Sequence, residues 1–231
     1  LNGRERMALD VAKIKAVIFD IDGTLSDSDD QMVNQVERLV KPFTFFISGK
    51  GRAAFARWLV MAVESPGNFI YSMADRFDLD SLFIRLLDHR SRNRKHKLRS
   101  YRLIPEVNEM LASLSPRFPL AVASARDEQT SMAFINQFEL GSLFRVVVTS
   151  QSTHHTKPFP DPLIYAAEKM GVPPANCLMV GDTTVDMRAA KLAGMQTAGV
   201  LCGFGREKEL RRAGADAILT STPDITDIFP R

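Results

Sequence analysis

The chain has little cysteine, a single tryptophan and no long apolar run. Only two cysteines occur in 231 residues. Cys177 stands in an apolar, strand-like run and Cys202 in a glycine-flanked loop. That placement excludes a disulfide framework or a cysteine metal cluster, and a reducing cytoplasm is the simplest compartment. No apolar run approaches the roughly 18 residues that a membrane helix needs, so no membrane partner is expected. The opening LNGRERMALD lacks the apolar core of a secretory signal. Residues 1–6, ahead of Met7, read as a trimmed leader or remnant and take no part in the fold expectation. With 45% hydrophobic and 25% charged residues, the remainder has the composition of an ordinary globular protein, not of a disordered one.

An excess of one charge sign is scarce too, except in one segment. The formal net charge is +3, yet Arg85 to Arg102 alone holds eight Lys or Arg against the single acid Asp88, a local +7 that leaves −4 for the rest. Between Asp88 and Lys97 there is no apolar stripe, so the segment reads most simply as a solvated face. Its sharper reading is a rim that draws anionic substrates. No aromatic platform or recognisable motif supports a nucleic-acid partner.

The most informative stretch is KAVIFDIDGTL, Lys15 to Leu25. Ala16 to Phe19 is a short continuous apolar run, as expected of a strand buried on both faces. Asp20 and Asp22 follow it, two residues apart, which in extended chain directs both acids to one side. At the carboxyl end of a buried strand they would face the crevice where open α/β sheets bind ligands. One carboxylate could attack an electrophile while the other moves protons; an acidic turn is the bland alternative.

After SDSDD, which offers several helix caps, three stripes with helical spacing follow. They are Val33 to Phe43, Phe55 to Val63 (through Trp58, Leu59 and Ala62) and Leu79 to Leu87, broken at Pro42 and at Pro66-Gly67. Trp58 and the nearby phenylalanines read as core. From Pro105 the rhythm alternates. Helices are expected over 105–114, 127–138, 161–170, 185–193 and 207–213, and strands over 120–124, 146–149, 177–181, 196–200 and 217–219. This is the pattern of a Rossmann-like α/β fold, a parallel sheet with helices on both faces. Residues 1–26 and 104–231 would form that core, and 27–103 an inserted all-helical cap domain.

Three more sites fall at strand ends and should converge on Asp20 and Asp22. Ser124 ends the LAVAS strand, where a hydroxyl and the amides at a helix start make either an anion site or a plain cap. Lys157 stands in HHTKPFPDP, stiffened by Pro158, Pro160 and Pro162, and its ammonium could neutralise phosphate oxygens. His154 and His155 beside it read as solvent-facing or structural. In GDTTVDM, Asp182 lies at a strand end and Asp186 one turn into a helix. With Asp20 they make three carboxylates that would repel without a cation, and oxygen-only donors favour Mg²⁺.

Together, Asp20-Ile21-Asp22-Gly23-Thr24, Ser124, Lys157-Pro158 and Gly181-Asp182 with Asp186 resemble, in order and placement, the four motifs of the haloacid dehalogenase-like hydrolases. The phosphatase branch with a helical cap is the nearest, and KPFPDP is similar to the form in phosphoglycolate phosphatases. PEV at Pro105 to Val107 departs from it, since those relatives often have glycine after the proline. The resemblance implies a Mg²⁺-dependent phosphomonoester hydrolase acting on a small phosphorylated metabolite, phosphoglycolate-like or a sugar phosphate. It further implies that the metal is held by Asp20, the backbone oxygen of Asp22, and Asp182, with Asp186 orienting a metal-bound water or Lys157. Asp20 would attack phosphorus to form an aspartyl-phosphate, while Asp22 would protonate the leaving oxygen and then activate water. Thr24, Ser124, Lys157 and the amides around Ile21, Asp22 and Ala125 would hold the phosphoryl oxygens. Asp22 argues against dehalogenation, because the dehalogenases lack that acid. A phosphonate hydrolase (which would need a Schiff-base lysine such as Lys41 or Lys50), a sugar-phosphate mutase and a non-catalytic regulatory protein remain the alternatives.

Overall fold

The computed structural model describes residues 9–27 and 101–229. All of the helical cap expected over 27–103 except its two ends lies outside the described residues, as do Lys41, Lys50, Trp58 and most of the basic segment.

Six strands form one sheet: β1 (Ala16–Phe19), β2 (Leu120–Ala123), β3 (Val146–Val148), β4 (Cys177–Gly181), β5 (Gln196–Val200) and β6 (Ala217–Leu219). Their order is β3-β2-β1-β4-β5-β6 and every neighbouring pair is parallel. Five α-helices cover the sheet: α1 (Val107–Leu114), α2 (Glu128–Gln137), α3 (Asp161–Met170), α4 (Thr184–Leu192) and α5 (Glu207–Ala213). Each lies within two residues of its expected span. The Rossmann-like α/β reading therefore holds for the described core. Four short 3-10 turns, over Val11–Lys13, Leu140–Leu143, Pro174–Asn176 and Thr222–Ile228, had no sequence signal that stood out. Among the described residues, no helix is long and apolar enough to cross a membrane.

Side chains two apart along a strand share a face, and this alternation divides the core in two. Val17, Phe19, Val122 and Val180 pack with Met110, Leu111 and Phe134 of α1 and α2. Ala16, Ile18, Ala121 and Met179 pack on the other face with Leu163 and Ala166 of α3 and Ala189 of α4. Small residues on this second face let α3 and α4 approach closely, which matters because these two helices bracket the lysine loop and the acidic loop. Their ends are set by local chemistry. Pro162 sits in the first turn of α3 and Gly171 closes it at φ 69°. Thr183 caps α4.

Since all the strands run the same way, all their carboxyl ends lie along one edge. Asp20, Ser124 and Asp182 each follow directly on a strand there. Asp20 is tied to β4 by its amide, which donates to the Val180 carbonyl at 3.0 Å. Just beyond, the chain leaves and returns at one place. The Asp27 amide donates to Arg102 O (2.9 Å), the Ile104 amide to Leu25 O (3.0 Å), and Ser26 forms an antiparallel bridge with Leu103. Asp27 and Arg102 thus lie side by side just beyond the strand-end edge.

Candidate active site

The floor of the site is a buried cluster of charges. Lys157 Nζ lies 2.8 Å from Asp20 Oδ1 and 2.5 Å from Asp186 Oδ1. All three side chains are buried, and Asp182 beside them is wholly so. Lys157 arrives on the loop between β3 and α3, Asp20 from β1, and Asp182 and Asp186 from β4 and α4. Four residues up to 166 positions apart thereby share one spot at the centre of the sheet's carboxyl edge.

Helix capping builds much of this floor. Thr183 Oγ1 accepts from the Asp186 amide (3.3 Å), and Asp186 Oδ2 accepts from the Thr183 amide (3.1 Å) and hydroxyl (2.6 Å). This reciprocal capping box locks the Asp186 carboxylate, leaving Oδ1 turned to Lys157. Asp182 is gripped as firmly. Its Oδ1 accepts from Thr24 Oγ1 at 3.2 Å and its Oδ2 from the Phe204 amide at 2.7 Å. Thr24 is itself anchored, since its carbonyl accepts from Thr222 Oγ1 at 2.6 Å. Gly23, at φ 71°, and Gly203 press against this carboxylate from two loops, and a Cβ on either would collide with Asp182 Oδ2. Glycine is required at both for close approach, and at Gly23 for the left-handed backbone as well.

The electrostatics follow from burial. Burial raises Asp20 to about 7; Asp186 and Asp22 add to the rise and Lys157 opposes it. Burial also pushes Asp182 well above the usual carboxylate range, helped by Asp186 and Asp20 and resisted by the Phe204 amide and Lys157. For Lys157, burial disfavours the charge, but Asp186 and then Asp20 outweigh it, so the ammonium is held more strongly than in water. Three carboxylates against one ammonium leave a deficit of two positive charges when all are ionised. One oxygen each from Asp20, Asp182 and Asp186 lie within 4.8 Å of one another and could hold a metal ion. Donor chemistry and charge deficit both fit a hard divalent cation.

Asp22 has different surroundings. It is half-buried at the rim, and its carboxylate forms a two-point pair with Arg126: Nε to Oδ2 at 2.7 Å and Nη2 to Oδ1 at 2.5 Å. Ser124 is buried at the end of β2 with Ala125 exposed beside it. The helix that follows, α2, begins at Glu128, one residue from its expected start; its cap is Asp127, not Ser124, and accepts from the Thr130 amide at 2.7 Å. Ser124 Oγ instead accepts from the Arg126 amide at 3.2 Å, bending the loop between strand and helix. Thr24 directs its hydroxyl to Asp182, so in this state it braces an acid. Next to the lysine loop, His155 Nδ1 lies 3.1 Å from Asp161 Oδ1, tying the loop to the first turn of α3 in a structural contact.

Sequence reasoning brought together Asp20, Lys157, Asp182 and Asp186, but it missed four contributors. Arg126 was legible only as a residue after a strand end, and nothing local pairs it with an acid 104 positions earlier. Thr183 and Asp186 carry the T-x-x-D spacing of a capping box, a signal that was there to be read. Phe204 acts through its amide, which no side-chain motif reveals, although glycines on both sides of it just beyond β5 mark a close backbone approach. Thr222 lies on a 3-10 turn whose role depends wholly on tertiary contact.

Comparison with known proteins matches this geometry. Residues 17–200 match the family model described as haloacid dehalogenase-like hydrolase. A relative in Halalkalibacterium halodurans named pyrophosphatase PpaX is 28% identical over 218 residues, covering 94% of this chain and 97% of its own. A phosphoglycolate phosphatase of Neisseria meningitidis is 30% identical over 226 residues, covering 93% of both chains. Among solved structures, a hydrolase from Pseudomonas syringae superposes with a TM-score of 0.69 at 24% identity, covering 92% of this chain and 96% of that one. The chain belongs to the haloacid dehalogenase-like hydrolases, in their phosphatase branch.

Proposed function

We propose that this hydrolase is a Mg²⁺-dependent phosphomonoester phosphatase that works through an aspartyl-phosphate on Asp20, on a small phosphorylated metabolite. The observation that carries the reading is the buried floor, where Asp20 lies 2.8 Å from Lys157 amid two further acids that need a divalent counter-ion. Phosphoglycolate-like compounds are the leading substrates, and the names of relatives add pyrophosphate to a set that also includes sugar phosphates.

Asp20, Asp182 and the backbone oxygen of Asp22 would hold the metal, which when bound neutralises phosphoryl oxygens and lets a carboxylate approach a dianion. Asp186 both adds to the acidic set and, through Oδ1, fixes Lys157. The Lys157 ammonium offsets charge on Asp20 and on a phosphoryl oxygen. Ser124 and the Ala125 amide would receive the other oxygens, with Thr24 bracing Asp182 beside them. Asp20 attacks phosphorus in line and the bond to the leaving oxygen breaks. Asp22, at the rim, gives a proton to that oxygen, then takes one from the water that attacks phosphorus and frees Asp20. The acid set disfavours a purely regulatory role, because a scaffold gains nothing from three buried carboxylates.

Hydrolysis of p-nitrophenyl phosphate with and without Mg²⁺ tests the class. Wild type should turn over only with the metal, and Asp20→Asn should lose at least about 10³-fold in kcat, since the covalent route is closed. Absence of metal-dependent turnover in wild type would falsify the assignment.

A further inference from the structure

Arg126 occupies an expensive position. Its guanidinium is 12% exposed, sits 4.9 Å from the centre of the Tyr101 ring and 5.6 Å from that of Phe134, and is spent on Asp22 through two parallel hydrogen bonds. Nη1 is buried and has no hydrogen-bond partner among the described residues. The backbone is fixed at both ends, with the amide donating to Ser124 Oγ (3.2 Å) and the carbonyl accepting from the Ser150 amide (2.9 Å). The aromatic walls are fixed as well. Tyr101 meets Phe134 edge-on with ring centres 5.8 Å apart, and its carbonyl accepts from Gln137 Nε2 at 3.1 Å.

A buried arginine with one donor unsatisfied is a poor way to gain stability, because an apolar side chain of similar volume would fill the space without that cost. The arrangement does give direction. The planar fork of arginine holds both oxygens of the largely buried Asp22 carboxylate in one plane. Each carboxylate oxygen carries two lone pairs. Arg126 takes one on each oxygen.

We propose that Arg126 is a positioning residue for Asp22, setting the plane in which that carboxylate exchanges protons with the leaving oxygen and the attacking water. The inference rests on the reading of Asp22 as the proton carrier. The Arg126 guanidinium bonds the Asp22 carboxylate and not the carboxylates of Asp20, Asp182 or Asp186, so it would act on the reaction through Asp22. Its effect should therefore fall on kcat, by about 10- to 100-fold, as for partners that orient a reacting group.

The test is a double-mutant cycle in steady-state kinetics with p-nitrophenyl phosphate and Mg²⁺, using Arg126→Met, Asp22→Asn and the double variant, with thermal melts alongside. Arg126→Met should lower kcat by about 10- to 100-fold with KM changed less than about threefold, yet have less than about a twofold effect in the Asp22→Asn background. Arg126→Lys, which keeps charge and most of the volume but cannot fork, should show the same pattern and stands in where the Met variant folds poorly. An equal loss in both backgrounds, or no loss in the wild-type background while Asp22→Asn is crippled, would overturn the positioning role and leave the phosphatase reading intact. Unchanged turnover in Asp22→Asn would instead remove the proton-carrier reading, and this inference with it.

Discussion

Asp20, Asp182 and Asp186 meet at the carboxyl edge of the sheet, whereas Glu106, Glu109, Asp224 and Asp227 line a cavity of about 850 Å³ between α1 and the last 3-10 turn. Both regions collect acids, and by size alone the cavity would draw the eye. They differ in what surrounds each carboxylate. In the cavity three of the four are exposed, and Asp224 accepts from the Ser221 amide at 2.8 Å in a local cap. Solvent screens the exposed charges, so nothing there calls for a counter-ion. At the strand ends the acids are buried around Lys157, so their charges call for compensation that the lysine and a metal ion could supply. A count of acids does not identify a site. Burial together with a specific partner does.

The strongest way to break this contrast is to remove the buried ammonium. Lys157→Met should lower kcat by about 10²- to 10³-fold, the usual cost of losing one stabilising donor. It should also destabilise the metal-free protein by about 3 kcal/mol, because the buried acids lose their only cationic partner among the described residues. Steady-state kinetics and urea melts in EDTA check both. Retained activity with unchanged stability would show that the floor is not an electrostatic unit.

A second test sharpens the comparison through pH. Asp20 ordinarily titrates near 3.8, and burial raises it to about 7 in the folded chain. The native state therefore binds the extra proton, so this contribution to metal-free stability is complete below about 4 and is lost as pH rises through about 7. The metal needs the ionised acid, so its stabilisation should run the opposite way. Melting with and without Mg²⁺ should give a small difference at pH 5 that grows steadily to pH 8. A difference independent of pH would argue against metal binding by this set.

The smallest effects belong to the cavity. Glu109→Gln with Asp227→Asn should leave kcat within about twofold and stability within about 0.5 kcal/mol, as expected of exposed charges. Glu106→Gly should stabilise by about 0.5–1 kcal/mol. Glu106 holds φ 65° ahead of α1, a conformation that strains a side-chain-bearing residue more than the freedom glycine gains in the unfolded chain. The departure noted in PEV is thus a glycine position occupied by glutamate. Denaturant midpoints would read either change.

How far the sequence could be read follows from the same physics. The continuous runs AVIF and CLMVG could only be buried strands, and both span their observed ranges. Asp161–Met170 was legible in full because Pro162 and Gly171 punctuate it. Asp20, Lys157 and Asp182 were legible because each carries its chemistry in its own side chain, at a strand end or, for Lys157, in a proline-marked loop after one. Arg126 and Phe204 were not, because one acts through a pairing across the fold and the other through a main-chain N–H. Local pattern encodes where the chain ends its strands, not which distant group will hold a carboxylate still.

The central claim is that Asp20 is the nucleophile in this buried set. Acid quench of a single turnover with excess enzyme, p-nitrophenyl phosphate and Mg²⁺, followed by peptide mass spectrometry, measures it most directly. The account predicts a transient, hydroxylamine-sensitive phosphoryl group on Asp20 that disappears as inorganic phosphate forms. Turnover at the same rate with no phosphorylated peptide, or with the label on another residue, would contradict it.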